Sequence, residues 1–208
     1  MKSEFLLTLG DASQFEGTFK NGFLKGRGES RIAMVGRSNV GKSSLINSLL
    51  GARLARTSNQ PGKTRAIHFY WWAIAKKILT DLPGYGYAKA SWDERNRWEK
   101  FIQVYFDSDP RLDQVLLLLD ARHGPLPSDL EAIKFLSLRG IPVTFVFTKF
   151  DTLKTQADRA RRKKEAMQAL ADLGITAPES TYWVSSQSGV GIKELSRWLK
   201  ESSLTGGR

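Results

Sequence analysis

The eight residues Gly36-Arg37-Ser38-Asn39-Val40-Gly41-Lys42-Ser43 constrain the fold of this chain more than any others. They stand where a strand hands over to a helix. The apolar run Ile32-Ala33-Met34-Val35 leads in, and Ser44-Leu45-Ile46-Asn47-Ser48-Leu49-Leu50 leads out with helical spacing. That context separates a working G-x-x-x-x-G-K-S loop from a chance match. Its glycines let backbone N–H groups converge on phosphate oxygens, and the helix N-terminus adds partial positive charge. Lys42 is expected to reach β- and γ-phosphates, and the Ser43 hydroxyl to coordinate Mg²⁺. Gly36 to Ser44 together therefore predict a nucleoside triphosphate site.

At 208 residues the chain suits one α/β domain with a full core. A hydrophobic fraction of 41% beside 25% charged residues is ordinary for a globular protein. No run approaches the ~18 apolar residues of a membrane span. Glu4 interrupts the short apolar start, which argues against a signal peptide. There is no cysteine for a disulfide or a lipid anchor, and no glycine after Met1 for myristoylation. A cytoplasmic protein without a membrane partner is the expectation. Lys and Arg total 32 against 21 acidic residues, a net +11. Such an excess suits a polyanionic partner, nucleic acid or nucleoprotein, or else a basic surface of no particular purpose.

Residues 1–30 lack strong periodicity, and Gly17, Gly22, Gly26 and Gly28 punctuate them. They read as an irregular N-terminal lead-in. From Arg31 strands and helices alternate, which predicts a mostly parallel sheet. Strands are expected at 31–35, 66–74, 77–81, 114–120, 142–148 and 181–185, and helices at 42–50, 91–106, 127–138, 155–172 and 191–200. The second and third strands lie close enough for a hairpin around Ala75-Lys76, so one strand is expected antiparallel. Residues 31–200 form the predicted domain, and 201–208 a flexible C-terminal tail.

Thr148-Lys149-Phe150-Asp151 follows the apolar run Val143 to Phe147. An Asp there can accept from guanine N1–H and the 2-amino group, and adenine offers neither donor. Lys149 can lay its aliphatic stem along the base. Asp81-Leu82-Pro83-Gly84 closes a strand, placing Asp81 to hold Mg²⁺ through water and the Gly84 N–H toward the γ-phosphate. Pro61-Gly62-Lys63-Thr64-Arg65 precedes a strand and offers Thr64 as a second hydroxyl for Mg²⁺, with Thr57 as competitor. Val184-Ser185-Ser186 ends the last strand, where backbone N–H groups could meet guanine O6.

Five elements in this order resemble the translation-factor-like GTPases. The segments Pro-Gly-Lys-Thr-Arg, Asp-Leu-Pro-Gly-Tyr-Gly-Tyr-Ala-Lys, Asp120-Ala121-Arg122-His123 and Thr-Lys-Phe-Asp narrow the match. With the phosphate loop they resemble the bacterial EngB/YihA/YsxC family, over roughly residues 31–200. The resemblance implies a three-layer P-loop GTPase domain with a mostly parallel six-stranded sheet, one antiparallel strand and helices on both faces. It implies GTP and GDP as ligands, Mg²⁺ as cofactor, and the large ribosomal subunit or its precursor as partner. It also implies a role in large-subunit assembly linked to normal cell division and septation, in a protein taken to be monomeric.

Lys42, Thr64 and Gly84 are the expected catalytic groups. Tyr85 follows Gly84 where Ras-type enzymes carry a water-orienting Gln. It reads equally as a packed aromatic. In related GTPases an Asn at the place of Asn39 helps hold K⁺; capping within the loop is its plainer role. Slow intrinsic hydrolysis, accelerated by K⁺ or by the ribosome, is therefore expected; a GTP-gated RNA-binding module with negligible hydrolysis is the alternative. Arg159-Ala160-Arg161-Arg162-Lys163-Lys164 forms the densest positive block, suited to RNA phosphates or to a solvated helix face.

Overall fold

The structure is a computed structural model that describes residues 2–21, 24, 30–56, 66–86, 92–175 and 181–202. Strand β5 (Leu112–Asp120) shows why the sequence builds a two-sided sheet. Its residues Val115 to Leu119 are all fully buried, and alternate side chains enter opposite layers. Val115, Leu117 and Leu119 join one core, while Leu116 and Leu118 join the other. A continuous apolar run of this kind belongs at the centre of a parallel sheet covered on both faces.

The other strands are β1 (Glu4–Leu9), β2 (Arg31–Gly36), β3 (Ile67–Trp72), β4 (Lys77–Asp81), β6 (Val143–Thr148) and β7 (Thr181–Trp183). Their order is β1-β3-β4-β2-β5-β6-β7. Strand β3 runs antiparallel to both neighbours, and the remaining pairs are parallel. Helices α2 (Lys42–Leu50) and α6 (Ile192–Glu201) cover one face through Leu45, Ile46, Leu49, Leu195 and Leu199. The opposite face carries the short α1 (Gln14–Glu16), α3 (Trp92–Ser108), α4 (Pro127–Ser137) and α5 (Gln156–Ala171). This is the expected three-layer α/β fold.

Six strands were expected, and among the described residues there are seven. The addition is β1, inside the segment that reads as irregular. It pairs with β3 across sixty residues, with Thr8 Oγ1 2.7 Å from His68 Nδ1, and its register slips between Phe5 and Leu7. An edge strand with a bulge has no clean alternation to betray it. Beyond β1, Phe15, Phe19 and Leu24 are buried. Phe15 stacks on Phe101 at 5.2 Å and Phe19 meets Phe69 edge-on at 6.1 Å. Through β1, Phe15 and Phe19 the lead-in is thus packed against α3 and the sheet.

Thr155 caps α5 by accepting the Asp158 N–H at 3.0 Å. Gly174, at φ +74°, follows that helix in the left-handed region. Residues 203–208 lie outside the described residues, and α6 itself extends to Glu201.

Candidate nucleotide site

Strand β2 ends at Gly36, where a Cβ would lie 2.9 Å from Val40 Cγ1 and 3.0 Å from the Leu118 carbonyl oxygen. Only glycine lets the chain turn so tightly over β5. The loop closes with Gly41 at φ +106°, and Lys42 opens α2. The first-turn N–H groups of α2, the Lys42 ammonium and the Ser43 hydroxyl are thereby gathered at one end of the sheet.

Two residues after β6 fasten this loop. The buried Thr148 hydroxyl lies 2.6 Å from the Val40 carbonyl oxygen, a distance at which it donates. Lys149, at φ +57°, sends Nζ to the Asn39 carbonyl at 2.7 Å and to Asp120 Oδ2 at 3.0 Å. The sequence gives Lys149 a stem for a base; the structure shows that its ammonium also anchors the loop. Asp120, at the end of β5, accepts from Arg122 Nε at 2.9 Å and its terminal nitrogen at 2.7 Å. Burial pushes the Asp120 carboxyl up, but the hydrogen bonds from Arg122 and Lys149 prevail and hold it far below the usual carboxylate range. Arg122, for which the sequence offers no role, thus fixes the carboxylate that fixes Lys149. A cleft of about 280 Å³ opens here, lined by Arg37, Ser38, Asn39, Asp120, Arg122 and Lys149 among others.

The segment after β4 lies directly on the loop. Asp81 is buried and ion-paired with Lys42. Leu82 N–H donates to the Met34 carbonyl at 3.3 Å, and Pro83 follows, also buried. At Gly84 a Cβ would come within 2.9 Å of the Ser38 nitrogen, so the two backbones touch. Tyr85 then exchanges backbone hydrogen bonds with the loop, and its hydroxyl donates to Asp129 of α4 at 2.7 Å. Burial, then Asp129, push the Tyr85 hydroxyl far above its ordinary range.

Phe150, Asp151 and Thr152 form a 3₁₀ turn beyond Lys149. The Phe150 ring leans on Trp183, with Arg159 and Lys163 over it at 5.2 Å each. Among the described residues the Asp151 carboxylate has no partner, and it is only part-buried. That leaves both oxygens free to accept from a base. The amides expected to meet guanine O6 are mostly engaged: Val184 N–H donates to Phe147 and Ser185 N–H to Val190. Of the three, only the Ser186 N–H lacks a partner among the described residues, because Ser185 is drawn inward by the turn that follows. Gly62, Lys63, Thr64 and Arg65 lie outside the described residues, as does Thr57.

A family model described as "50S ribosome-binding GTPase" matches residues 31–149. A probable GTP-binding protein EngB of Cytophaga hutchinsonii is 43% identical over 177 residues, covering 81% of this chain and 84% of that protein. The chain belongs to the EngB family of GTPases. Its Thermotoga maritima relative, also named a probable GTP-binding protein EngB, is 42% identical, with 84% and 89% covered. The crystal structure of a probable GTP-binding protein EngB superposes on this EngB-type chain with a TM-score of 0.61 at 26% identity. It covers 81% of the chain and 95% of that structure. Era, solved with MgGDPNP and nucleotides 1506–1542 of 16S ribosomal RNA, shares the fold with a TM-score of 0.66 at 24% identity. Its match covers 86% of the chain and 58% of Era. GTP is the nucleotide, and its hydrolysis to GDP and phosphate is the chemistry of the family.

Proposed function

We propose that this GTPase is a nucleotide-gated switch in assembly of the large ribosomal subunit, with slow intrinsic hydrolysis, and that cell division and septation depend on it. The observation that carries the gating is the backbone contact of Gly84 and Tyr85 with Gly36 and Ser38. Whatever the phosphate loop holds is sensed at once by the segment after β4. The family match and the net +11 charge support a ribosomal partner.

Gly36 to Ser44 would cradle the phosphates, with Lys42 on the β- and γ-oxygens. Asp151 would read guanine, Lys149 and Phe150 would wall the base, and Ser186 N–H would meet O6. Ser43, Thr64 and Asp81 through water are all oxygen donors, the type that Mg²⁺ prefers, with the buried Asp81 carboxylate beside α2. When bound, Mg²⁺ supplies charge that neutralises the phosphate oxygens. Water attacks the γ-phosphorus, the bond to the bridging β-oxygen breaks, and GDP and phosphate leave. Lys42 and the loop amides stabilise the developing charge. Loss of the γ-phosphate releases Gly84 and Thr64. Asn39, whose carbonyl Lys149 holds while its residue stays exposed, would supply a ligand for stimulatory K⁺.

The basic block of α5 is a weaker candidate for RNA than its sequence implies. Arg161 pairs with Asp158 at 3.1 Å and Arg162 with Glu165 at 2.8 Å. Arg159 donates to the Leu153 carbonyl, and Lys163 lies over Phe150 and Trp183. That leaves the overall charge, more than this helix, to meet RNA.

The test is co-sedimentation with large ribosomal subunits in a non-hydrolysable GTP analogue, in GDP and without nucleotide, over a salt series. Retention with the analogue at salt that strips the GDP form supports the switch. Equal, salt-labile retention in every state refutes it and leaves non-specific attraction to RNA. Single-turnover hydrolysis with and without subunits separates it from a GTP-gated RNA-binding module.

A further inference from the structure

Tyr85 is held from three sides. Its N–H donates to the Gly36 carbonyl at 3.3 Å, and its carbonyl accepts the Ser38 N–H at 3.0 Å, a one-residue parallel bridge beside Arg37. Its hydroxyl donates to Asp129 Oδ1 at 2.7 Å. Asp129 is fully buried in the first turn of α4, where Oδ2 accepts the Leu126 N–H at 2.9 Å and faces Arg37 Nε at 3.4 Å. Arg37 belongs to the phosphate loop. The contacts therefore close a circuit from the loop to Tyr85, to α4 and back to the loop. Gly84 sits inside that circuit, in backbone contact with Ser38.

We propose that Tyr85 is a positioning residue for GTP hydrolysis, acting through Asp129 to hold Gly84 against the phosphate loop. This rests on the site assigned above, in which the Gly84 N–H serves the γ-phosphate. The hydroxyl is committed to Asp129 and does not orient water; its effect is to fix a donor before the reaction begins. A donor already aimed where charge develops needs no reorganisation in the transition state. The bond is strong because its acceptor is a buried carboxylate, which loses a donor if Tyr85 swings away. Arg37 completes the arrangement by steadying the same carboxylate from the loop side.

Tyr85→Phe, Asp129→Asn and the double variant test this. Affinities for GDP and for a non-hydrolysable GTP analogue are measured together with single-turnover hydrolysis and thermal melting. Loss of one hydrogen bond to a buried carboxylate predicts roughly a tenfold fall in analogue affinity and in hydrolysis rate for Tyr85→Phe. GDP affinity stays unchanged, because GDP has no γ-phosphate to sense. Asp129→Asn, which keeps an acceptor for Leu126, moves both quantities the same way. The double variant is no worse than the poorer single one, since both residues act through one bond.

Equal losses for GDP and analogue overturn the proposal, as does a lower melting temperature with an unchanged analogue-to-GDP ratio. Additive losses in the double variant also overturn it. Lys42→Ala is run in parallel. If it leaves nucleotide binding intact, the site assignment itself fails. If it abolishes binding while Tyr85→Phe is inert, only the positioning role of Tyr85 falls.

Discussion

Replacing Arg31 by Met strikes the most heavily buried cation among the described residues. Arg31 is 1% exposed and pairs with Asp109, whose side chain is 0% exposed. Its guanidinium also donates to the Leu24 carbonyl at 3.2 Å and lies 4.8 Å from the Phe19 ring centroid. One side chain thus ties the start of β2 to the N-terminal segment and to the end of α3. Methionine fills much of the volume but strands the Asp109 carboxylate, leaving the Arg111 N–H at 3.1 Å to support it. Removing one partner of such a pair costs about 3–5 kcal/mol, and the lost cation–π contact adds about 1. For a chain of this size that lowers the melting temperature by roughly 10–20 °C.

The assay is urea unfolding followed by tryptophan fluorescence, at fixed Mg²⁺ and GDP because ligand shifts the equilibrium. Arg31→Met combined with Asp109→Leu recovers most of the loss, since no charge is then buried. Acidity gives a second check. Burial holds the Asp109 carboxyl above its ordinary range even with Arg31 beside it. Without the arginine it rises further. A carboxyl with a raised folded-state pKa destabilises as pH climbs through the interval between its unfolded and folded values. The deficit of Arg31→Met therefore narrows as pH falls toward the ordinary carboxylate range. A single-variant loss under about 1 kcal/mol, no rescue by the double variant, or a deficit that widens in acid refutes the reasoning.

Asp151→Asn weakens GTP by roughly 10- to 100-fold and improves xanthosine triphosphate, whose base offers a carbonyl in place of the amino group; competition binding reads both. Retained GTP preference would remove Asp151 from base reading. Burial lowers the His68 pKa below 6.5, so the fold favours the neutral ring. Its stabilisation is complete above that value and is lost as pH falls through the folded-state pKa, and His68→Gln flattens this part of the stability profile. Exchanging Na⁺ for K⁺ accelerates turnover, and equal rates in the two salts would leave Asn39 without a role as a cation ligand.

The parts of the fold that were legible from sequence are those set by local pattern. The all-apolar stretch of β5 and the helical spacing after Ser43 each declare themselves within a dozen residues. The phosphate loop is legible for the same reason, since strand, glycines and helix are contiguous. Partnerships across the fold are not. Asp129 stands two residues after Pro127, and nothing local announces Tyr85 forty-four residues away as its donor. Asp120 resembles an ordinary strand end until β6 brings Lys149 alongside it. Ser185 shows the opposite failure, since the tripeptide around it fits an oxygen-binding amide. Only the following turn reveals that the Ser185 N–H is spent on Val190.

Strand β1 sets a timing problem for the growing polypeptide. Thr8 leaves the translating ribosome sixty residues ahead of His68, its neighbour in the finished sheet. Until β3 emerges, Glu4–Leu9 has no ladder to join. Once β3 and β4 have paired, β3 presents a bare outer edge until β1 returns. An open edge of that kind can capture another chain. The long-range closure also slows folding, because the loop between the strands must be ordered before the pairing rewards it. A bulky fusion placed against Glu4 would prolong that interval, so association during synthesis would be sensitive to what precedes β1, even where the mature enzyme tolerates it.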